Sequence, residues 1–227
     1  MTGGNGFVGQ AVLRALANHE SVEHLCSLDI RSPAPDEKIK GVVYRQMDVR
    51  AEEVGALINE HRITVVVHLA AIVTPERDRT FSHSVDVGGT ENVLKACVTH
   101  DVEQIIVTSS GAAYGYHPDN PSWIREDQPL RGNPEFAYSD HKRQVEELLS
   151  RFRDEAPGLS QLIFRPGTVL GKNVDNQITK LFQQKVIFAL SGTDSPFVFI
   201  WDEDVAASIA HGIVERTSGI YNLTADG

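Results

Sequence analysis

A tyrosine and a lysine four residues apart, Tyr138 and Lys142, are the side chains of this sequence best suited to move a proton. On a helix that spacing puts both on one face. A free phenol ionises near pH about 10, too high for a useful base at neutrality, and a neighbouring ammonium favours the phenolate. Such pairs are common on solvated helix faces, so the weight comes from what precedes them. Ser110 ends the apolar run Val107-Thr108-Ser109-Ser110-Gly111, where a hydroxyl donor could polarise a substrate carbonyl. Taken alone it is a polar strand end.

Upstream, Gly3, Gly6 and Gly9 fall at three-residue spacing before an amphipathic stretch. Glycines so placed let the backbone turn tightly and approach a pyrophosphate at a helix N-terminus; a glycine turn without a ligand is the alternative. Asp29 ends the next apolar run, where a carboxylate can accept from both hydroxyls of an adenosine ribose, which favours NAD. Arg31 could offset the repulsion of a 2′-phosphate, so NADP stays open, and a turn cap is the bland role for Asp29. Asp48-Val49 and His68-Leu69-Ala70-Ala71 each follow a further apolar run. In a doubly wound sheet these strand ends border the cofactor, and small Ala70 and Ala71 permit close approach; strand-end packing is the other reading.

The elements that must position these residues alternate as β and α. Strands are expected over 25–29, 42–46, 65–69, 104–109 and 161–165, and helices over 9–17, 51–61, 85–100, 138–153, 178–188 and 204–216. The continuous runs Val65-Val66-Val67 and Ile105-Ile106-Val107 suit strands covered on both faces. The fold class is therefore α/β, a Rossmann-type doubly wound parallel sheet. Residues 1–165 are expected to form a dinucleotide-binding domain. Residues 166–227 are expected to form a partial substrate-binding region interleaved with the last elements of the sheet. The proline-rich segment 114–135 reads as a long surface loop. Within it Tyr116, Trp123 and Ile124 either line a substrate pocket or anchor the loop. The glycine loop begins at once, so the sheet is expected to lack its first strand, with more residues upstream and material missing after Gly227.

Composition narrows the partners. Of 227 residues, 31 are acidic and 21 basic, a formal charge of −10 that repels polyanions, so nucleic acid is not an expected partner. No apolar run approaches membrane-spanning length, and a cytoplasmic protein acting on a small molecule is expected. Cys26 and Cys97 sit in apolar segments as buried, inert thiols. The nine histidines are scattered without ligand spacing, so no metal is expected, and His141 reads as a surface residue. Asp202, Glu203 and Asp204 read as an acidic helix start.

Taken in order, these motifs resemble the extended short-chain dehydrogenase/reductase superfamily, in its NAD-dependent epimerase/dehydratase branch. The resemblance runs end to end and rests on Thr2-Gly3-Gly4-Asn5-Gly6-Phe7-Val8-Gly9, Asp48-Val49, His68-Leu69-Ala70-Ala71, the stretch from Val107 to Gly115, Tyr138-Ser139-Asp140-His141-Lys142, Arg165-Pro166-Gly167 and Asp204-Val205-Ala206. It implies that Ser110, Tyr138 and Lys142 are catalytic, that Phe7 and Val8 line the pyrophosphate, and that Gly167 lies beside the nicotinamide. It also implies a homodimer through the helices at 85–100 and 138–153. Two positions depart from the family pattern: Asp86 stands where relatives usually carry asparagine, and Thr168 where many sugar-nucleotide epimerases do. A non-catalytic dinucleotide sensor is the competing reading, and such modules tend to lose the tyrosine or lysine that this chain keeps.

Overall fold

A computed structural model of the chain describes residues 1–17, 19–73, 78–172, 174, 179–180, 184–186 and 197–225. Its elements are α1 (Phe7–Leu16), β1 (Leu25–Asp29), β2 (Val42–Gln46), α2 (Glu53–Glu60), β3 (Val65–His68), α3 (Arg79–His83), a π turn (Ser84–Gly88) and α4 (Gly89–Thr99). They continue with β4 (Gln104–Thr108), a 3-10 turn (Gly111–Tyr114), α5 (Ala137–Glu155), β5 (Ser160–Pro166), β6 (Thr168–Leu170), β7 (Phe199–Trp201), α6 (Asp202–Val214) and β8 (Gly219–Leu223). The helix expected over 178–188 falls for the most part outside the described residues. Helix α6 starts at the acidic cluster, with Asp202, Glu203 and Asp204 in its first turn where the dipole favours them.

Among the described residues all strand pairs are parallel. β1 pairs with β2, and β3, β4, β5 and β8 follow one another in a four-stranded run. Met1 to Gly3 lie between β1 and β3: Thr2 donates to the Val67 carbonyl at 2.9 Å, Gly3 to Leu28 at 2.8 Å, and Leu28 and Leu69 donate back to Met1 and Thr2. The expected gap in the sheet is thus bridged by Thr2, which satisfies backbone groups that would otherwise be unpaired at about 1–3 kcal/mol each. β8, unread in the sequence, extends the main sheet at its far side, while β6 and β7 form a separate parallel pair.

Alternation along each strand explains the continuous apolar runs. Val66, Ile105, Val107 and Ile163 face one core with α2, α4 and α5, whereas Val67, Ile106, Leu162 and Phe164 face another with α1 and α6. β3, β4 and β5 therefore each feed two layers. Cys26 and Cys97 are free and buried, and burial pushes the Cys97 thiol up to about 12, as expected of inert core thiols. Residues 115–136 carry no helix or strand, in keeping with the expected loop.

One helix differs from expectation. The segment read as a helix from 85 is preceded by α3, whose N-cap Asp78 accepts from the amides of Thr80 and Phe81, and the π turn then carries the chain into α4. A π turn in this place holds one wider loop of backbone, a form frequent beside functional residues.

Candidate active site

The glycine loop packs directly on the end of β3. A Cβ on Gly3, whose φ is +67°, would lie 2.7 Å from the Ala70 nitrogen, and one on Gly9 would lie 2.3 Å from the Gly3 carbonyl oxygen. Only glycine fits either position, and the resulting turn leaves Gly6 as the N-cap of α1 with no side chain closing the helix start. Phe7 and Val8 form its first turn. Such an open N-terminus suits a pyrophosphate.

Asp29 ends β1, buried to 7% exposure. Its two oxygens accept from the backbone of Asn5, in the glycine loop, and of Arg31, both at 3.0 Å. The capping role is therefore real, and each carboxylate oxygen keeps a lone pair for a ribose hydroxyl. The Arg31 side chain is exposed, with its Nε 4.0 Å from Asp29. Asp48 is held more tightly: Arg50 hydrogen bonds to both of its oxygens and keeps its carboxyl below the usual range. The Val49 side chain belongs to the core, and its carbonyl accepts from Asn92. Leu69, Ala70 and Ala71 run past the glycine loop, partly exposed. Gly167 lies between β5 and β6, where a Cβ would meet the Val198 carbonyl at 2.7 Å.

One face of α5 is stitched to the end of β4 and to the 3-10 turn that follows it. Ser139 Oγ donates to the Ala112 carbonyl at 2.6 Å, Lys142 Nζ to the Thr108 carbonyl at 2.8 Å, and Glu146 accepts from Ser109 Oγ at 2.5 Å. Positions 139, 142 and 146 follow an i, i+3, i+7 spacing, one helix face. This stitching brings Tyr138 and Lys142 to the strand end that carries Ser110. Lys142 Nζ sits 5.7 Å from the centre of the Tyr138 ring, a cation–π distance. Ser110 Oγ accepts from the Ala112 amide at 3.1 Å as the cap of the 3-10 turn, which fixes the side chain and leaves its proton to donate. Exposed Tyr116 and Phe136 continue from Tyr138 as a row of aromatic rings, with centres 5.9 and 6.2 Å apart. Trp123, at 89% exposure, stands away from any packing role.

Two histidines are buried in hydrogen-bonded networks that sequence reasoning did not anticipate. His141 is no surface residue: it is 5% exposed, and its Nδ1 lies 2.8 Å from Asp86 Oδ2. Its partner is 55 residues distant, so no local pattern announces the pair. His68 sits between Thr2 Oγ1 at 2.7 Å and Thr90 Oγ1 at 2.9 Å, and the Thr90 hydroxyl donates to the Asp86 carbonyl. Thr90 thus has no proton left, so His68 donates from Nε2 and accepts at Nδ1 from Thr2.

Burial, helped by the nearby Lys142 ammonium, lowers His68 from 6.5 to about 3. The unfolded chain takes up this proton below pH 6.5, whereas the folded chain resists it until about 3. Stability present above 6.5 is therefore lost as the pH falls through that window, at up to about 1.4 kcal/mol per pH unit. Urea unfolding at pH 7 and pH 5 should show the wild type losing about 2 kcal/mol more than His68→Gln. Equal losses would refute this assignment.

A profile of the NAD dependent epimerase/dehydratase family matches residues 1–206. The UDP-glucose 4-epimerase of Thermus thermophilus, solved with NAD, superposes with a TM-score of 0.81 at 26% identity, over 100% of this chain and 77% of that one. The vaccinia virus 3 beta-hydroxysteroid dehydrogenase/Delta 5→4-isomerase is 26% identical over 195 residues, 82% of this chain and 55% of the viral enzyme. A Mycobacterium tuberculosis relative of uncharacterised function is 19% identical over 100% of this chain, which spans 62% of its length. The chain thus spans little more than half the length of the curated relatives it matches. With its parallel Rossmann sheet and a profile match over most of its residues, the chain belongs to the NAD dependent epimerase/dehydratase family.

Proposed function

We propose that this chain binds NAD along the carboxyl edge of its sheet and moves a proton at a hydroxyl or carbonyl of a small substrate, a sugar or nucleotide sugar. The observation that carries the reading is the stitching of α5 to the end of β4, which gathers Ser110, Tyr138 and Lys142 beside the glycine loop's partner strand. Gly3, Gly6, Phe7, Val8 and Gly9 would hold the pyrophosphate and Asp29 the adenosine ribose. Asp48, Val49, Leu69, Ala70 and Ala71 would border the cofactor, and Gly167 would lie beside its nicotinamide end. The cradle that no Cβ could enter and the buried, doubly capped carboxylate both fit such a ligand.

When bound, NAD supplies the acceptor and donor of hydride. Tyr138 takes the proton from the substrate hydroxyl, or returns it, while Lys142 holds positive charge over the ring. Ser110 donates its free proton to the oxygen on which negative charge develops. Lys142 also offers its remaining protons to a ribose, since only one is used by Thr108. The same steps serve epimerisation, elimination or net oxidation, and the substrate pocket decides among them. The pairing of α4 and α5 with a second copy, and a cytoplasmic location, belong to this reading. Sedimentation of the protein would check the dimer.

The test is a screen of the protein against nucleotide sugars, free sugars, hydroxy-ketones and a 3β-hydroxysteroid. Nicotinamide absorbance would be followed alongside product chromatography, because epimerisation leaves no net absorbance change. Turnover with a sugar or nucleotide sugar and NADH bound more tightly than NADPH are the expected results. Binding of NADH without turnover of any compound would favour a sensor, and no dinucleotide binding at all would remove the proposal.

A further inference from the structure

The family asparagine before the Gly-Thr of α4 is replaced here by Asp86, and the replacement has a partner. Asp86 is 5% exposed and uses both oxygens: Oδ1 accepts from the Ile72 amide at 2.8 Å, and Oδ2 pairs with His141 Nδ1 at 2.8 Å. A carboxylate can only accept, so the imidazole must carry its hydrogen on Nδ1. Ile72 directly follows Leu69-Ala70-Ala71, the strip packed on the glycine loop, and His141 directly precedes Lys142. His83 of α3 packs edge-on against the His141 ring, with centres 5.4 Å apart, and is itself held by Gln144. The hydrogen bonds of Ser139, Lys142 and Glu146 tie α5 to the end of β4 and the turn after it, but among the described residues Asp86 is the side chain that ties it to the loop after β3.

We infer that Asp86 and His141 are a positioning pair that sets helix α5, and with it Tyr138 and Lys142, at a fixed height over the strip at residues 69–72. The inference rests on the proposed cofactor site, since that strip and the two catalytic side chains would bracket the nicotinamide half of NAD. A short polar bond between buried groups suits this task because it has one geometry, where apolar contacts would let the helix slide. It also accounts for the departure from the family pattern. An acceptor-only side chain at 86 needs a donor, and His141 is that donor. Neither residue touches the reacting atoms.

The experiment measures NADH binding by fluorescence in the full chain together with amide hydrogen exchange. His141→Ala and Asp86→Ala should each weaken NADH binding about tenfold, and the double variant should be no weaker than the worse single one. Asp86→Asn should restore affinity to near wild type, because its amide oxygen still accepts from Ile72 and its NH2 can donate to an imidazole that moves its hydrogen to Nε2. Without any ligand, His141→Ala should speed exchange at Ile72 and at residues 138–142 while the amides of β4 and β5 keep their protection. Uniformly faster exchange throughout the sheet would mean a general loss of stability and would overturn the pair. So would unchanged NADH affinity in both alanine variants, or additive losses in the double. If the wild type itself binds no NADH, the cofactor reading fails and the exchange pattern alone decides the pair.

Discussion

With phenylalanine at position 138, turnover is expected to fall by about a thousandfold while NADH affinity stays within about twofold of wild type. The substitution removes one oxygen and little else. The ring keeps its place beside Phe136, 6.2 Å away, and the Lys142 ammonium keeps both its aromatic face and its bond to the Thr108 carbonyl. What is lost is the group proposed to exchange a proton with the substrate, and Ser110, whose Oγ is fixed by the Ala112 amide at the strand end, is not placed to take over that proposed role. The measurement pairs steady-state rates on the substrate found by screening with a fluorescence titration of NADH. A Tyr138→Phe protein that still turns over would remove Tyr138 from the chemistry. One that loses NADH instead would make it a binding residue.

That prediction was open to sequence reasoning because its parts are local. Leu25–Asp29 and Val42–Gln46 were legible to the residue, since each is a short run of alternating or apolar side chains between polar breaks. The glycine spacing announced a turn, and the structure adds why: Gly3 and Gly9 lie where a Cβ would strike backbone. Long-range partners were not legible. His141 stands among Asp140, Lys142 and Arg143 and looks solvated, yet the aspartate that buries it comes from a different element. Helix α3 has no apolar stripe, only an Asp78 cap and five residues, so the periodic signal starts at α4. β6 and β7 are three residues each and exist only by pairing across a long stretch of chain. Even Asp29, read for its carboxylate, turned out to be held by the loop it faces. The sequence spacing 139, 142, 146 contained the stitching of α5 all along, but only the fold says which carbonyls it meets.

The last of those three positions carries the largest stability effect. Glu146 and Arg165 are each 3% exposed, joined at 2.6 Å through Oε2 and Nη2 and again through Nε. Arg165 also donates to the Tyr114 hydroxyl at 2.6 Å and to the Glu126 carbonyl, and Tyr114 donates on to Asn222 of β8. One ion pair thus joins α5, β4, β5, β8 and the proline-rich loop. Glu146→Ala is expected to cost about 3–5 kcal/mol, because it strands a guanidinium in the core and frees Ser109, the neighbour of Ser110. Against a total stability of about 5–15 kcal/mol, that is enough to unfold much of the protein on mild heating. Replacing both partners, Glu146→Met with Arg165→Met, should recover much of the loss, since no charge is then left buried without a counterpart. Urea unfolding of Glu146→Met, of Arg165→Met and of the double variant checks this. If the double variant loses the sum of the singles, the pair is not coupled, and the loop is held to β5 by something other than this bridge.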